Sequence, residues 1–158
     1  MVEADKQAKA EKMFETLCQT LDKRDWKYEK GTNGLYIDTG CAGEDIPIEI
    51  RVLVDADRQI VRVLSHMPVQ VPEDKRLEMA IAISCVNNVL ADGCFDFDIH
   101  EGLVFYRMGC NYIDKQMGEE ALEYLVFCSI QIIEQYNDQF LMLAKGLLPL
   151  QQFLESNS

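Results

Sequence analysis

The stretch Gly93–Cys110, GCFDFDIHEGLVFYRMGC, decides the fold. In it Phe95, Phe97 and Ile99 alternate with Asp96 and Asp98, and strand side chains alternate between faces. The pattern predicts a strand with Phe95, Phe97 and Ile99 turned inward and both aspartates in water. His100-Glu101-Gly102 supplies the turn, with Gly102 free to take the left-handed conformation of a bulge-type hairpin. The return strand, Leu103–Cys110, carries apolar side chains on both faces, broken by Arg107. Glu49, Arg51 and Arg62, on earlier strands, are candidates to share the wet face with the aspartates and pair with them.

Upstream, four strand candidates follow one another: Trp26–Lys30, Leu35–Thr39, the alternating run from Ile46 to Val54, and Ile60–His66. Short turns join them, which implies an antiparallel meander. Pro47 lacks a ladder donor and marks a strand start or edge. Three helices complete the pattern. From Asp5 to Leu21 the residues Ala10, Met13, Phe14, Leu17, Cys18 and Leu21 form one apolar face. Between Pro72 and Gly93 two stripes compete, Leu77–Ala80–Ile81–Ser84–Cys85–Asn88 and Met79–Ile83–Val86–Leu90. The longest helix runs from about Gly118 to Ala144 and is stopped by Gly146 and Pro149, with LQQFLESNS read as a short tail. The order is α-β-β-β-β-α-β-β-α, an α+β layer with helices on a mainly antiparallel sheet. Neither a linker nor a repeat divides residues 1–158, so a single domain is expected.

The chain carries 15 basic and 27 acidic residues, a formal charge of −12, which disfavours phosphate backbones and anionic lipid surfaces. No apolar run approaches a membrane span and none at the start resembles a signal peptide, so a cytoplasmic setting is expected. The six cysteines are scattered without CxxC pairs. Cys18, Cys85 and Cys128 sit inside apolar helical patterns and read as reduced thiols acting as small hydrophobes.

A metal needs several ligands converging at about 2 Å, and Asp96, Asp98 and His100 match no calcium loop or zinc knuckle. No nucleophile elbow places Cys94 or Cys110 beside His66, and the loops GTNG and GCAGED lack a phosphate-cradle pattern. No enzyme, cofactor or resident metal is therefore expected. Asn87 and Asn88, adjacent on a buried helix, are read as one residue bonding loop backbone and the other facing solvent.

The order of elements, with VPEDKR opening the second helix, Asn87-Asn88 shortly before a glycine, GCFDFD…EGLVFYR, and the later QYNDQFLMLAKG, resembles the YbjN family of bacterial proteins. The resemblance covers about Trp26 to Gly146. It implies a curved antiparallel sheet packed by helices, related to type III secretion chaperones, bacterial origin, and a sensory or regulatory role without enzymatic chemistry. The chaperones to which the family is related are acidic dimers that hold an extended client segment. The leading expectation is thus a non-enzymatic protein-binding module, chaperone-like or regulatory, engaging a protein or peptide client and forming a homodimer. The interface candidates are Met79, Ile83 and Leu90 on the second helix and Leu125, Ile132 and Tyr136 on the last. The competing expectation is a small-molecule or metal-responsive sensor built on Asp96, Asp98 and His100 or on a cavity near Asn87 and Asn88.

Overall fold

Period-two alternation builds the sheet. Along β3 (Ile48–Asp55) the residues Ile48, Ile50, Val52 and Val54 are buried while Glu49 and Arg51 are exposed. The computed structural model describes residues 1–158. After α1 (Val2–Lys23), the strands β1 (Glu29–Lys30), β2 (Tyr36–Cys41), β3 and β4 (Ile60–Gln70) form an antiparallel meander. A 3-10 turn, Glu73–Lys75, leads into α2 (Arg76–Val89), which carries the chain to the far edge of the sheet. There β5 (Cys94–Asp98) forms, and β6 (Leu103–Asn111) returns between β5 and β4. The strand order is β1-β2-β3-β4-β6-β5, antiparallel throughout, so the α+β class and the order α-β-β-β-β-α-β-β-α read from the sequence are those of the molecule, with one short helix added at the end. The helices α3 (Glu119–Ala144) and α4 (Leu150–Asn157) end the chain.

One face of the sheet is covered. Val52, Val63, Phe95 and Tyr106 join Leu17, Met79, Leu125 and Phe140 in a continuous core, and the helices pack on this side. Phe95 is the hub of its aromatic part, edge-on to Tyr106, Tyr136 and Phe140 at 5.2, 5.9 and 5.0 Å. Such edge-to-face contacts suit the ring quadrupole. The opposite face of the sheet carries no helix.

Two glycines punctuate the chain where the sequence placed them. Gly146 (φ 71°) ends α3: its N–H donates to Leu143 O and that of Leu147 to Met142 O, the paired bonds of a Schellman cap. Gly102 (φ 73°) closes the hairpin by donating to Asp98 O at 2.7 Å, and a Cβ there would stand 2.4 Å from Val71 O.

Several expectations are corrected. The first strand shrinks to Glu29–Lys30, because Trp26 leaves the ladder to donate to Thr39 Oγ1 and to pack edge-on against Phe127. α2 ends at Val89, short of Gly93. The C-terminal tail is a helix, α4, whose Phe153 is fully buried against Phe140. Ile99 belongs to the hairpin turn and is 44% exposed, so the inward phase holds for Phe95 and in part for Phe97 only. Of the interface candidates, Met79, Ile83, Leu125 and Tyr136 are core residues, and Leu90 and Ile132 are half-buried against that core. The outward stripe of α2 is instead the one bearing Leu77 and Ile81.

The open face of the sheet as candidate functional site

The register brings alternate residues of four strands into one row on the helix-free face. Asp38 of β2 pairs with Arg51 of β3, Arg51 with Leu64 of β4, and Leu64 with Arg107 of β6. Arg51 grips Asp38 with two parallel bonds, Nε–Oδ1 at 2.7 Å and Nη2–Oδ2 at 2.8 Å, and lies over the Tyr36 ring at 4.1 Å. The guanidinium holds the Asp38 carboxyl below the usual carboxylate range. At the other end of the row Arg107 Nε meets Asp96 Oδ2 at 2.5 Å. Asp96 therefore finds its partner within its own hairpin, because β6 separates β5 from the strands bearing Arg51 and Arg62. Arg62 turns instead to Asp55 at 2.9 Å.

The next row carries the aromatic floor, where His66 stacks on its cross-strand partner Phe105. Together with Leu64, Pro47 and Pro68 these residues line a trough of about 1300 Å³ that reaches from β2 to β5. Its lining includes three cationic side chains, Lys27, Arg51 and Arg107, and four acidic ones, Glu29, Asp38, Glu49 and Asp96. Two of the acids are tied up by the two arginines. The trough is thus close to neutral on a chain of net charge −12. Such a surface offers apolar and stacking contact to an uncharged ligand or segment, and no nucleophile with a base beside it.

The residues singled out in the sequence for chemistry do not converge. Asp98 Oδ1 accepts from the backbone N–H groups of His100 and Glu101, which makes it a turn residue. His100 is exposed, and no group of three or more His, Cys, Asp or Glu side chains is arranged to hold a metal ion. His66 is engaged with Phe105, while the Cys94 thiol faces Asp96 Oδ1 and that of Cys110 the carbonyl of Asn111. All six cysteines are free thiols, and burial raises that of Cys18. Asn87 bonds backbone as expected, although to strand β5 and not to a loop, and Asn88 faces solvent. Of the trough residues, Leu64, Pro68 and Phe105 carry no chemical signature in the sequence, and His66 stands out there only as an isolated imidazole. The signal for them was the apolar character of Leu103–Cys110 on both faces, one more than a hairpin covered on one side requires.

An open six-stranded antiparallel sheet with helices on one face and a neutral trough on the other defines an open-faced α+β fold. Solved structures that resemble it include YbjN and a chaperone–effector complex. The crystal structure of YbjN from E. coli, proposed to be a transcription regulator, superposes with a TM-score of 0.61 at 13% identity, covering 86% of this chain and 94% of that one. The HopA1–SchA chaperone–effector complex follows with a TM-score of 0.53 at 11% identity, covering 78% of this chain and 91% of that one. The YbjN-like, secretion-chaperone-like fold read from the sequence is the fold of this protein. Comparison with protein-family profiles and with curated protein sequences gives no match. No helix is long and apolar enough to cross a membrane.

Proposed function

We propose that this protein is a non-enzymatic binding module, chaperone-like or regulatory, that receives an extended and largely uncharged segment of a partner polypeptide in the trough. One observation carries the reading: an open apolar and aromatic floor, neutral in charge, on a strongly acidic chain. Antiparallel sheets commonly leave one face in water, and it is the apolar and aromatic floor on this one that marks it as a contact surface. The likeness to a chaperone bound to its effector supports a polypeptide occupant. Function belongs to sites and not to scaffolds, so the trough, not the fold, bears the proposal.

The homodimer also belongs to this proposal, through the outward stripe of α2 where Leu77 and Ile81 are 69% and 43% exposed. A cytoplasmic setting fits six free thiols scattered without pairing. The test is affinity capture from the native cell with three baits: the wild-type chain, Leu64→Asp/Phe105→Asp, and Leu77→Glu. Circular dichroism checks that each bait is folded. Polypeptides retained by the first and third baits and lost from the second uphold the trough. An identical retained set for all three removes it. A melting temperature raised by a small ligand, with no polypeptide retained, favours the sensor instead.

A further inference from the structure

A sheet edge presents unpaired N–H and C=O groups and accepts any strand that fits, unless the chain prevents it. The two edges of this sheet differ. At one, β1 has two residues, Glu29 and Lys30, both charged and exposed, too short to template a partner. At the other, β5 runs Cys94-Phe95-Asp96-Phe97-Asp98, an alternating aromatic strand of the kind that pairs readily.

The outer side of β5 is not free at Phe95. Asn87, in the last turn of α2, donates from Nδ2 to Phe95 O at 2.8 Å and accepts from Phe95 N at Oδ1 at 2.9 Å. Both backbone polar groups of Phe95 are thus taken by one carboxamide, whose donor and acceptor sit side by side. This is the double exchange by which residues of neighbouring antiparallel strands pair. The side chain is held in place because α2 is anchored by Met79, Ala82, Ile83 and the adjacent Val86, all buried.

We propose that Asn87 is an edge lock: its carboxamide stands where a seventh strand would stand and keeps a second copy of the chain from pairing through β5. The inference is independent of the trough, since Asn87 and the outer edge of β5 take no part in its lining. The net charge of −12 acts in the same direction, because a second copy of so acidic a chain is repelled as it approaches. With the lock removed that repulsion remains, so association through β5 grows as salt screens it.

The test uses the full chain as wild type, Asn87→Ala and Asn87→Asp. At low protein concentration the Phe95 amide of Asn87→Ala exchanges with solvent about tenfold faster or more than in wild type. The Gly102 amide, bonded to Asp98 O within the hairpin, keeps its rate and shows that the hairpin is intact. Asn87→Asp keeps the acceptor for the Phe95 N–H, so its Phe95 amide stays protected; this variant also covers the case in which the alanine protein folds poorly. By light scattering, Asn87→Ala gains mass above the wild-type value with rising concentration, and more so at high salt. Unchanged exchange at Phe95 in Asn87→Ala, loss of protection in Asn87→Asp, or a mass equal to wild type at every salt concentration overturns the lock.

Discussion

His66 lies flat against Phe105, ring centroids 4.8 Å apart and planes 15° from parallel, across the paired strands β4 and β6. Each ring keeps a side towards the trough, so the stack is a preformed floor and not part of the core. Cross-strand aromatic pairs contribute about 0.5–1.5 kcal/mol beyond the area they bury. His66→Ala and Phe105→Ala should each cost about 1 kcal/mol, with a coupling of about 0.5–1 kcal/mol in a double-mutant cycle followed by urea unfolding. Strictly additive losses would show that the two rings do not rest on each other in solution.

Met79 and Leu77 lie two residues apart on α2 and have opposite fates, 1% and 69% exposed. Met79→Ala should cost about 2–5 kcal/mol in chemical denaturation, since it opens a cavity between helix and sheet. Leu77→Ala should stay within about 0.5 kcal/mol of wild type. Leu77→Glu should lower the mass measured by light scattering without lowering the unfolding midpoint extrapolated to low concentration. Equal costs at the two positions would invert the orientation of α2.

How far these positions were legible follows from what periodicity encodes. The alternation of Ile48, Ile50, Val52 and Val54 fixed the inner face of β3, since a strand has only two faces and one was wholly apolar. The stripe of α1 was equally unambiguous, and Ala10, Met13, Leu17, Cys18 and Leu21 are all buried. α2 defeated the same reasoning because two apolar stripes share its circumference. Spacing says that both exist, but which one meets the sheet depends on where β5 joins it. The trough escaped for a related reason. Its residues come from all six strands, and only the return of β6 between β4 and β5 sets Phe105 against His66 and keeps Asp96 from Arg51 and Arg62. That crossover is a long-range choice with no local signature.

The C-terminal segment carries a helical signal too short to stand alone. Leu150, Phe153, Leu154 and Asn157 follow helical spacing after Pro149, but two turns are too few to hold a helix without a surface to pack on. Phe140 provides that surface: its ring lies 5.9 Å from that of Phe153 at 26°. Asn157 adds a bond from Nδ2 to Gln139 Oε1 at 2.8 Å. Phe153→Ala should therefore cost about 3–5 kcal/mol, a core penalty and not the small effect expected of a tail. A chain ending at Pro149 should be destabilised at least as much. Unfolding midpoints that match wild type would place α4 away from the core.

Asp138 of α3 faces the loop between β2 and β3 amid like charges. Burial, and then Asp45, Glu134 and Glu44, push its carboxyl up to about 6 from the ordinary 3.8. Its Oδ1 is buried without a hydrogen-bond partner, so the ionised form is poorly accommodated, while a proton lets it bond to Asp45. The loop is also tied to α3 by Glu44 N–H donating to Glu134 Oε1 at 2.6 Å. Because the folded-state value lies above the unfolded one, the contribution of Asp138 to stability is full below about pH 4 and is lost as pH rises through about 6. Asp38, Asp55 and Glu123 work the other way, being held below the ordinary range, and they lose their contributions only under more acidic conditions. Between pH 5 and 7 the Asp138 effect is therefore separable. Stability should fall over that interval, by on the order of 1 kcal/mol after allowance for solvent screening. Asp138→Asn should flatten the profile and exceed wild type at pH 7, with little difference near pH 5. The measurement is urea unfolding of both chains at matched ionic strength across the interval. Parallel profiles for the two chains would mean that Asp138 titrates as an ordinary surface carboxylate and that the β2–β3 loop is held by Glu134 alone.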